Sequence, residues 1–179
     1  ANISYSLLKM TGADGITISG PVIVCAQAGN VNTGAFDPVG EIVRRARTSG
    51  SWVHVDGAFG LWAAASPRLR PLSAGIGLAD SWATDAHKWL NVPYDSGIVF
   101  VRDRAALAAA MATSGAYLVA DAEREPFRCV PELSRRARGI EVWAALRSLG
   151  RRGLSALLEA NCDAAALFAK RLASGGCRV

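Results

Sequence analysis

Two short β-branched runs, Pro21 to Ala26 (PVIVCA) and Trp52 to Asp56 (WVHVD), bracket a segment with the marks of a helix. Strand, loop, helix, strand in that order is a βαβ unit. It constrains this chain more than any other feature, because it demands a parallel or mixed sheet with helices on its faces. The loop is Ala28 to Gly34 (AGNVNTG), rich in turn-formers. Asp37-Pro38 then reads as a helix start, with Asp37 as the N-cap and proline at the first helical position. The helix runs through EIVRRARTS and stops at Gly50. Asp80 to Asp85 (DSWATD) and Gly97 to Arg102 (GIVFVR) are further strand candidates.

Asp103 reads as the cap of an alanine-rich helix. Residues 113–131 form a turn-rich, mixed-charge connection, and Pro131 to Ala173 is patterned as helix with a break near Gly150 to Gly153. The opening NISYSLLKM also reads as helix. Both ends are abrupt, and a strand order that starts in mid-sheet predicts a portion of a larger α/β unit.

A length of 179 residues suits one domain rather than two, and 51% hydrophobic content with 20% charge excludes a mostly disordered chain. Twenty basic against fifteen acidic side chains give a net +5, which invites a polyanion reading. The arginines are interspersed with acids on predicted helices, so solvated helix faces are the favoured explanation. Aromatic and basic residues are not interleaved as in a nucleic-acid-binding motif, and no nucleic-acid partner is expected. No apolar run of about 18 residues occurs, so no membrane partner is expected either. The N-terminus lacks the order of a signal peptide, and the four cysteines (Cys25, Cys129, Cys162, Cys177) lack a CxxC pair. Both facts lead to an expectation of free thiols in a cytoplasmic protein. With only His54 and His87, a histidine-rich metal site is excluded, and no metal is expected.

Two short stretches carry chemistry. In His54-Val55-Asp56, a period of two puts His54 and Asp56 on one side of the sheet, with Asp56 at the carboxyl end of its strand. The plain alternative is an aspartate that caps the turn Gly57-Ala58-Phe59-Gly60. The second stretch is Asp85-Ala86-His87-Lys88-Trp89. Lysine occurs only at positions 9, 88 and 170, the other cations being arginine. A lysine amine can form a Schiff base whereas a guanidinium cannot. The plain alternative is a lysine whose stem packs on Trp89. Taken together the stretches are more specific than either. A lysine to hold an aldehyde, and a carboxylate to keep a pyridine nitrogen protonated, are what a pyridoxal phosphate site needs.

HVDGAFG, followed 32 positions on (88 − 56) by the lysine of DAHKWLNVPYDSG, resembles the pyridoxal-phosphate-dependent amino acid decarboxylases. That group includes the aromatic-L-amino-acid, tyrosine and glutamate enzymes. AQAGNVNTGAFDPVGEI and PELSRRARGIEVWAALRSLGRRGL resemble further segments of the same family, in the same order. The resemblance implies a fold-type-I α/β large domain, a mixed and mostly parallel sheet with helices on both faces, here incomplete. It implies that residues 1–150 are the central part of that domain, and that 151–179 is a helix leading toward a small C-terminal domain. The implied reaction is α-decarboxylation of an L-amino acid, possibly aromatic, to an amine and carbon dioxide, in a homodimer. Another lyase of this fold, a decarboxylating-deaminating enzyme, or a non-catalytic homologue are the rival readings.

Position by position, the resemblance implies that Lys88 forms the Schiff base with pyridoxal 5'-phosphate and that Asp56 pairs with the pyridinium nitrogen. Ala58 packs on one ring face. His87 contacts the cofactor or moves a proton. His54 supports Asp56. Thr33 lines the site from its loop. Asp85 stands near the phosphate side, where a carboxylate would repel, so a hydroxyl or backbone donor is its expected partner. Asn2 stands where the family has a histidine stacked on the ring. The region with the family's protonating tyrosine offers Tyr117 early and Phe127 late, and neither is assigned that role.

Overall fold

The computed structural model describes residues 6–7, 22–111 and 126–179. Its centre is a five-stranded sheet of β1 (Ser6–Leu7), β2 (Val22–Gln27), β3 (Trp52–Asp56), β4 (Ser81–Asp85) and β5 (Gly97–Val101). The strands lie in chain order. β1 to β4 are parallel, and β5 returns antiparallel to β4 at the edge. The helices are α1 (Val39–Thr48), α2 (Arg104–Met111) and α3 (Gly139–Ser174).

Strand order decides where the connections run. Right-handed crossovers between parallel strands that advance in one direction all fall on the same face. The β2–β3 crossover contains α1, and the β3–β4 crossover is a chain of short 3-10 turns. Both cover the face that carries Ala26, Val53 and Val55. Val39, Val43 and Ala46, spaced at i, i+4 and i+7 on α1, are buried against those strand residues together with Ile76 and Ala79. The register Cys25↔His54 and Gln27↔Asp56 turns these four side chains to the opposite face, where Cys25, Gln27 and Asp56 are exposed.

The crossovers fit because glycine replaces side chains at close approaches. A Cβ on Gly60 would stand 2.4 Å from the Ala28 carbonyl oxygen and 2.6 Å from Phe36 Cζ. Gly60 N donates to that same carbonyl at 2.9 Å. The turn after β3 and the loop after β2 are thus in backbone contact.

Several expectations change. The opening segment is not helical where it is described, since Ser6–Leu7 pairs with Val22–Ile23 as a parallel strand. Sheet pairing overrides the local pattern there. Asp37 is not the N-cap of α1, a position taken by Pro38. The Asp37 carboxylate instead accepts from Gln27 N at 2.7 Å and ties the loop back to the end of β2. Asp103 does cap α2, accepting from Ala105 N and Ala106 N at 2.8 and 3.1 Å. The last helix begins at Gly139 rather than Pro131. Arg138 ahead of it is held by Asp95 at 2.8 Å. The expected break is present at Gly150, whose φ of 61° and ψ of −176° interrupt α3.

The kink divides α3 into two working parts. Val142, Leu146 and Leu149 pack on buried Ala86, Leu90 and Val92, under the loop that follows β4. After the kink, Glu159 is held by the first crossover turn. Fully buried Ser66 donates to its Oε1, and Ser155 Oγ donates to the same oxygen at 2.9 Å. Arg68 donates to the Glu159 carbonyl at 3.0 Å and pairs with Asp163 at 2.9 Å.

The Ser66 and Ser155 hydroxyls hold the Glu159 carboxyl below the usual carboxylate range. A carboxyl lowered in the folded state stabilises the fold above its unfolded value and loses that contribution as pH falls through the lowered value. Urea midpoints measured at about pH 7 and about pH 3 should therefore drop less on acidification in Glu159→Gln than in the wild type.

Candidate active site

Parallel strands place their carboxyl ends along one sheet edge, where open α/β sheets bind ligands. Here that edge offers Gln27, Asp56 and Asp85 from β2, β3 and β4. Asp56 follows two buried valines in the alternation of β3 and emerges exposed. Its backbone is pinned on both sides, with Ala28 N donating to Asp56 O at 2.8 Å and Gly57 N donating to Ala83 O at 2.9 Å. One carboxylate oxygen accepts from Ala58 N at 3.1 Å. The turn-capping role is thus real. It occupies Oδ1, and among the described residues nothing donates to Oδ2.

Lys88 sits in the turn that continues β4. Ala86 and Leu90 point into the core on either side of it in sequence, and Ala86 N is bonded to Ser96 O at 2.8 Å. Lys88 is thereby turned away from the core. Its Nζ lies 2.9 Å from Asp85 Oδ2 and 3.9 Å from the centre of the Phe59 ring. The expected partner of Asp85 is therefore corrected. It is not a hydroxyl or backbone donor but the lysine amine itself, since i,i+3 spacing in this turn brings the two tips together. The Asp85 backbone is fixed separately, its carbonyl accepting from Trp62 Nε1 at 3.1 Å.

His87 is nearly enclosed. Its ring lies 4.1 Å from that of Tyr94, and Ser96 N donates to Nδ1 at 2.9 Å. Nδ1 also lies 3.1 Å from Ser96 O, so both backbone polar atoms of Ser96 hold this edge of the ring. Nε2 lies 3.7 Å from Asp85 Oδ2. His87, Asp85 and Lys88 form one cluster in which the carboxylate lies between two nitrogen groups.

His54 does not support Asp56 by a hydrogen bond. Its Nδ1 is 2.8 Å from Ser81 Oγ, which also accepts from Trp52 Nε1 at 2.8 Å. Burial pushes the His54 pKa down, and the Asp56 charge partly opposes this. Thr33 is exposed and its hydroxyl serves its own loop, donating to Asn30 Oδ1 at 3.3 Å and accepting from Ala35 N at 3.2 Å. Asn2 and Tyr117 lie outside the described residues.

A cavity of about 820 Å³ opens at the lysine, between Phe59, Lys88 and Trp89 on one side and Leu157, Asn161 and Cys162 of α3 on the other. Sequence reasoning missed this wall, and it missed Phe59 beneath the amine. Phe59 lies only three residues past Asp56, and that spacing is the available signal. The α3 residues have none, because a kinked helix brings them in from some 70 positions away (157 − 88 = 69). Among the described residues, no group of three His, Cys, Asp or Glu side chains could hold a metal ion, and no helix is long and apolar enough to cross a membrane.

The family profile described as pyridoxal-dependent decarboxylase conserved domain matches residues 6–176. The chain belongs to that family. It is 37% identical over 155 residues to a tyrosine decarboxylase of Oryza sativa subsp. japonica, covering 83% of this chain and 29% of that protein. The fold matches a tryptophan decarboxylase of Catharanthus roseus crystallised with L-tryptophan at a TM-score of 0.74 and 28% identity, over 85% of this chain and 31% of that one. It matches a 4-hydroxyphenylacetaldehyde synthase of Rhodiola rosea at 0.73 and 30% identity, over 85% and 31%. The chain spans less than a third of the length of these relatives.

Pyridoxal phosphate fits the residues present. It needs a primary amine for its aldehyde and an anion for its ring nitrogen. Lys88 offers the first beside a roomy cavity. The open oxygen of Asp56 offers the second from the neighbouring strand end, with the small Ala58 leaving space beside it. Asp56→Ala should weaken pyridoxal phosphate binding by roughly 1.5–3 kcal/mol, about tenfold or more in Kd, because a hydrogen bond between charged groups is lost. Absorbance titration with the cofactor measures this, and an unchanged Kd would contradict the assignment.

Proposed function

We propose that this chain is the lysine-bearing part of an enzyme that removes the α-carboxylate of an L-amino acid, releasing an amine and carbon dioxide. One observation carries the reading. A primary amine on Lys88 and a free carboxylate oxygen on Asp56 extend from the ends of adjacent parallel strands. Pyridoxal phosphate, when bound, supplies an electron sink for the pair left on Cα when carbon dioxide departs. Asp56 would hold a proton on the ring nitrogen and so strengthen that sink. Lys88 would anchor the cofactor through its amine. His87, held by Ser96 and Tyr94, presents Nε2 toward the cluster.

The names of the relatives support an aromatic substrate, as do Phe59 and Trp89 on the cavity wall, which offer flat apolar surface to a ring. A homodimer is part of the proposal. Ile140 and Trp143 on α3 are each 66% exposed and are apolar surface that such an assembly would cover. So is a cytoplasmic setting, supported by four cysteines that are all free. The segment 151–179 is proposed to lead into a small domain. A second reading, oxidative decarboxylation in which dioxygen and water are consumed and aldehyde, ammonia, carbon dioxide and hydrogen peroxide are released, is favoured by the fold match to the 4-hydroxyphenylacetaldehyde synthase.

Incubation of the protein with tyrosine, tryptophan, phenylalanine and glutamate, followed by carbon dioxide capture and mass analysis of the products, tests the proposal. Amine and carbon dioxide in equal amounts from an aromatic substrate are expected, and both should be absent in Lys88→Ala. Aldehyde, ammonia and hydrogen peroxide in place of amine, formed only in the presence of dioxygen, would select the second reading. No carbon dioxide from any amino acid with the cofactor bound would overturn both.

A further inference from the structure

We propose that Asp85 is a positioning residue that tethers Lys88 in the cofactor-free protein, so that opening of the Asp85–Lys88 pair precedes any covalent chemistry at the lysine. The inference rests on the reading of Lys88 as the cofactor anchor. It goes beyond that reading by assigning a loading step to a residue that does not touch the reacting carbon.

Four observations carry it. The amine lies 2.9 Å from Asp85 Oδ2, within charge-assisted hydrogen-bond distance. It is also seated on a ring, 3.9 Å above Phe59, so it is held from two directions. Both charged side chains are less than a third exposed, at 29% and 28%, so solvent screens the pair less than it would a surface ion pair. The carboxylate is itself restrained, since its backbone carbonyl is fixed by Trp62 Nε1 and its Oδ2 lies 3.7 Å from His87 Nε2. A tether anchored at one end constrains the other.

The chemical consequence follows from electron counting. An ammonium that donates to a carboxylate has no lone pair to offer. To react with an aldehyde, Lys88 must leave the carboxylate and give up one proton to water. The nitrogen then bonds to the carbonyl carbon, and the carbonyl oxygen leaves as one water molecule. No oxidant or reductant enters. An asparagine at position 85 would keep the shape and the backbone bond from Trp62 but would remove the charge that holds the amine.

The test reads the lysine directly. The protein is treated with a limiting amount of an acetylating N-hydroxysuccinimide ester in the absence of cofactor. Acetylation at Lys88 is then compared by peptide mass spectrometry with that at exposed Lys170 in the same molecules. Asp85→Asn should raise the Lys88 to Lys170 ratio about fivefold or more, on the scale of a lost partly buried ion pair. Asp85→Glu, which keeps the charge, should remain near the wild type, and Phe59→Leu should give a smaller rise. In a parallel stopped-flow experiment, pyridoxal phosphate should associate faster with Asp85→Asn than with the wild type. A ratio unchanged in Asp85→Asn, with circular dichroism matching the wild type, would overturn the tether even if the cofactor binds. A raised ratio in a protein that takes no pyridoxal phosphate would leave the tether standing and overturn the cofactor reading instead.

Discussion

Parallel pairing of β3 between β2 and β4 is the interaction on which the rest depends. Strands that run the same way in unbroken order end together, so Gln27, Asp56 and Asp85 arrive at one edge without any further device. The same order sends both crossovers to one face, where α1 and the 3-10 turns bury Ala26, Val53 and Val55. The opposite face keeps Asp56 accessible. Chemistry and core are separated by the pleat, because residues one apart on β3 point in opposite directions.

The second layer of the design is backbone contact rather than side-chain packing. Gly60 meets the Ala28 carbonyl where no side chain could stand, and the turn carrying Ala58 and Phe59 is thereby fixed against the loop after β2. Phe59 in turn lies under Lys88. α3 closes the other side of the cavity, its first half packed under the lysine loop and its second half held by Ser66 and Arg68 through Glu159 and Asp163. The site is assembled from three elements that share no local sequence signal.

That distinction explains what could be read from the sequence. The βαβ frame, the strand ends and the Asp56–Lys88 spacing were legible because each depends on local periodicity or on residue chemistry that few other side chains supply. The Gly150 break was legible for the same reason, since an isolated glycine in a helical run is a local event. Asp37 and Asp85 were misread because a carboxylate's partner is set by three-dimensional proximity. Asp37 is used by the end of β2 rather than by its own helix, and Asp85 by a lysine that the turn folds back. The N-terminal residues Ser6 and Leu7 look helical in isolation and become a strand only because the edge of β2 is available to them. The α3 wall of the cavity is non-local and left no trace.

The central claim is that Lys88, and neither of the other two lysines, is the covalent anchor for an aldehyde cofactor. Borohydride reduction of the protein equilibrated with pyridoxal phosphate fixes that bond irreversibly, and peptide mass spectrometry then locates it. The account predicts a single phosphopyridoxyl group on the peptide containing Lys88. Modification of Lys9 or Lys170 at a comparable level, or a Lys88 peptide recovered unmodified from protein that has taken up the cofactor, would contradict it.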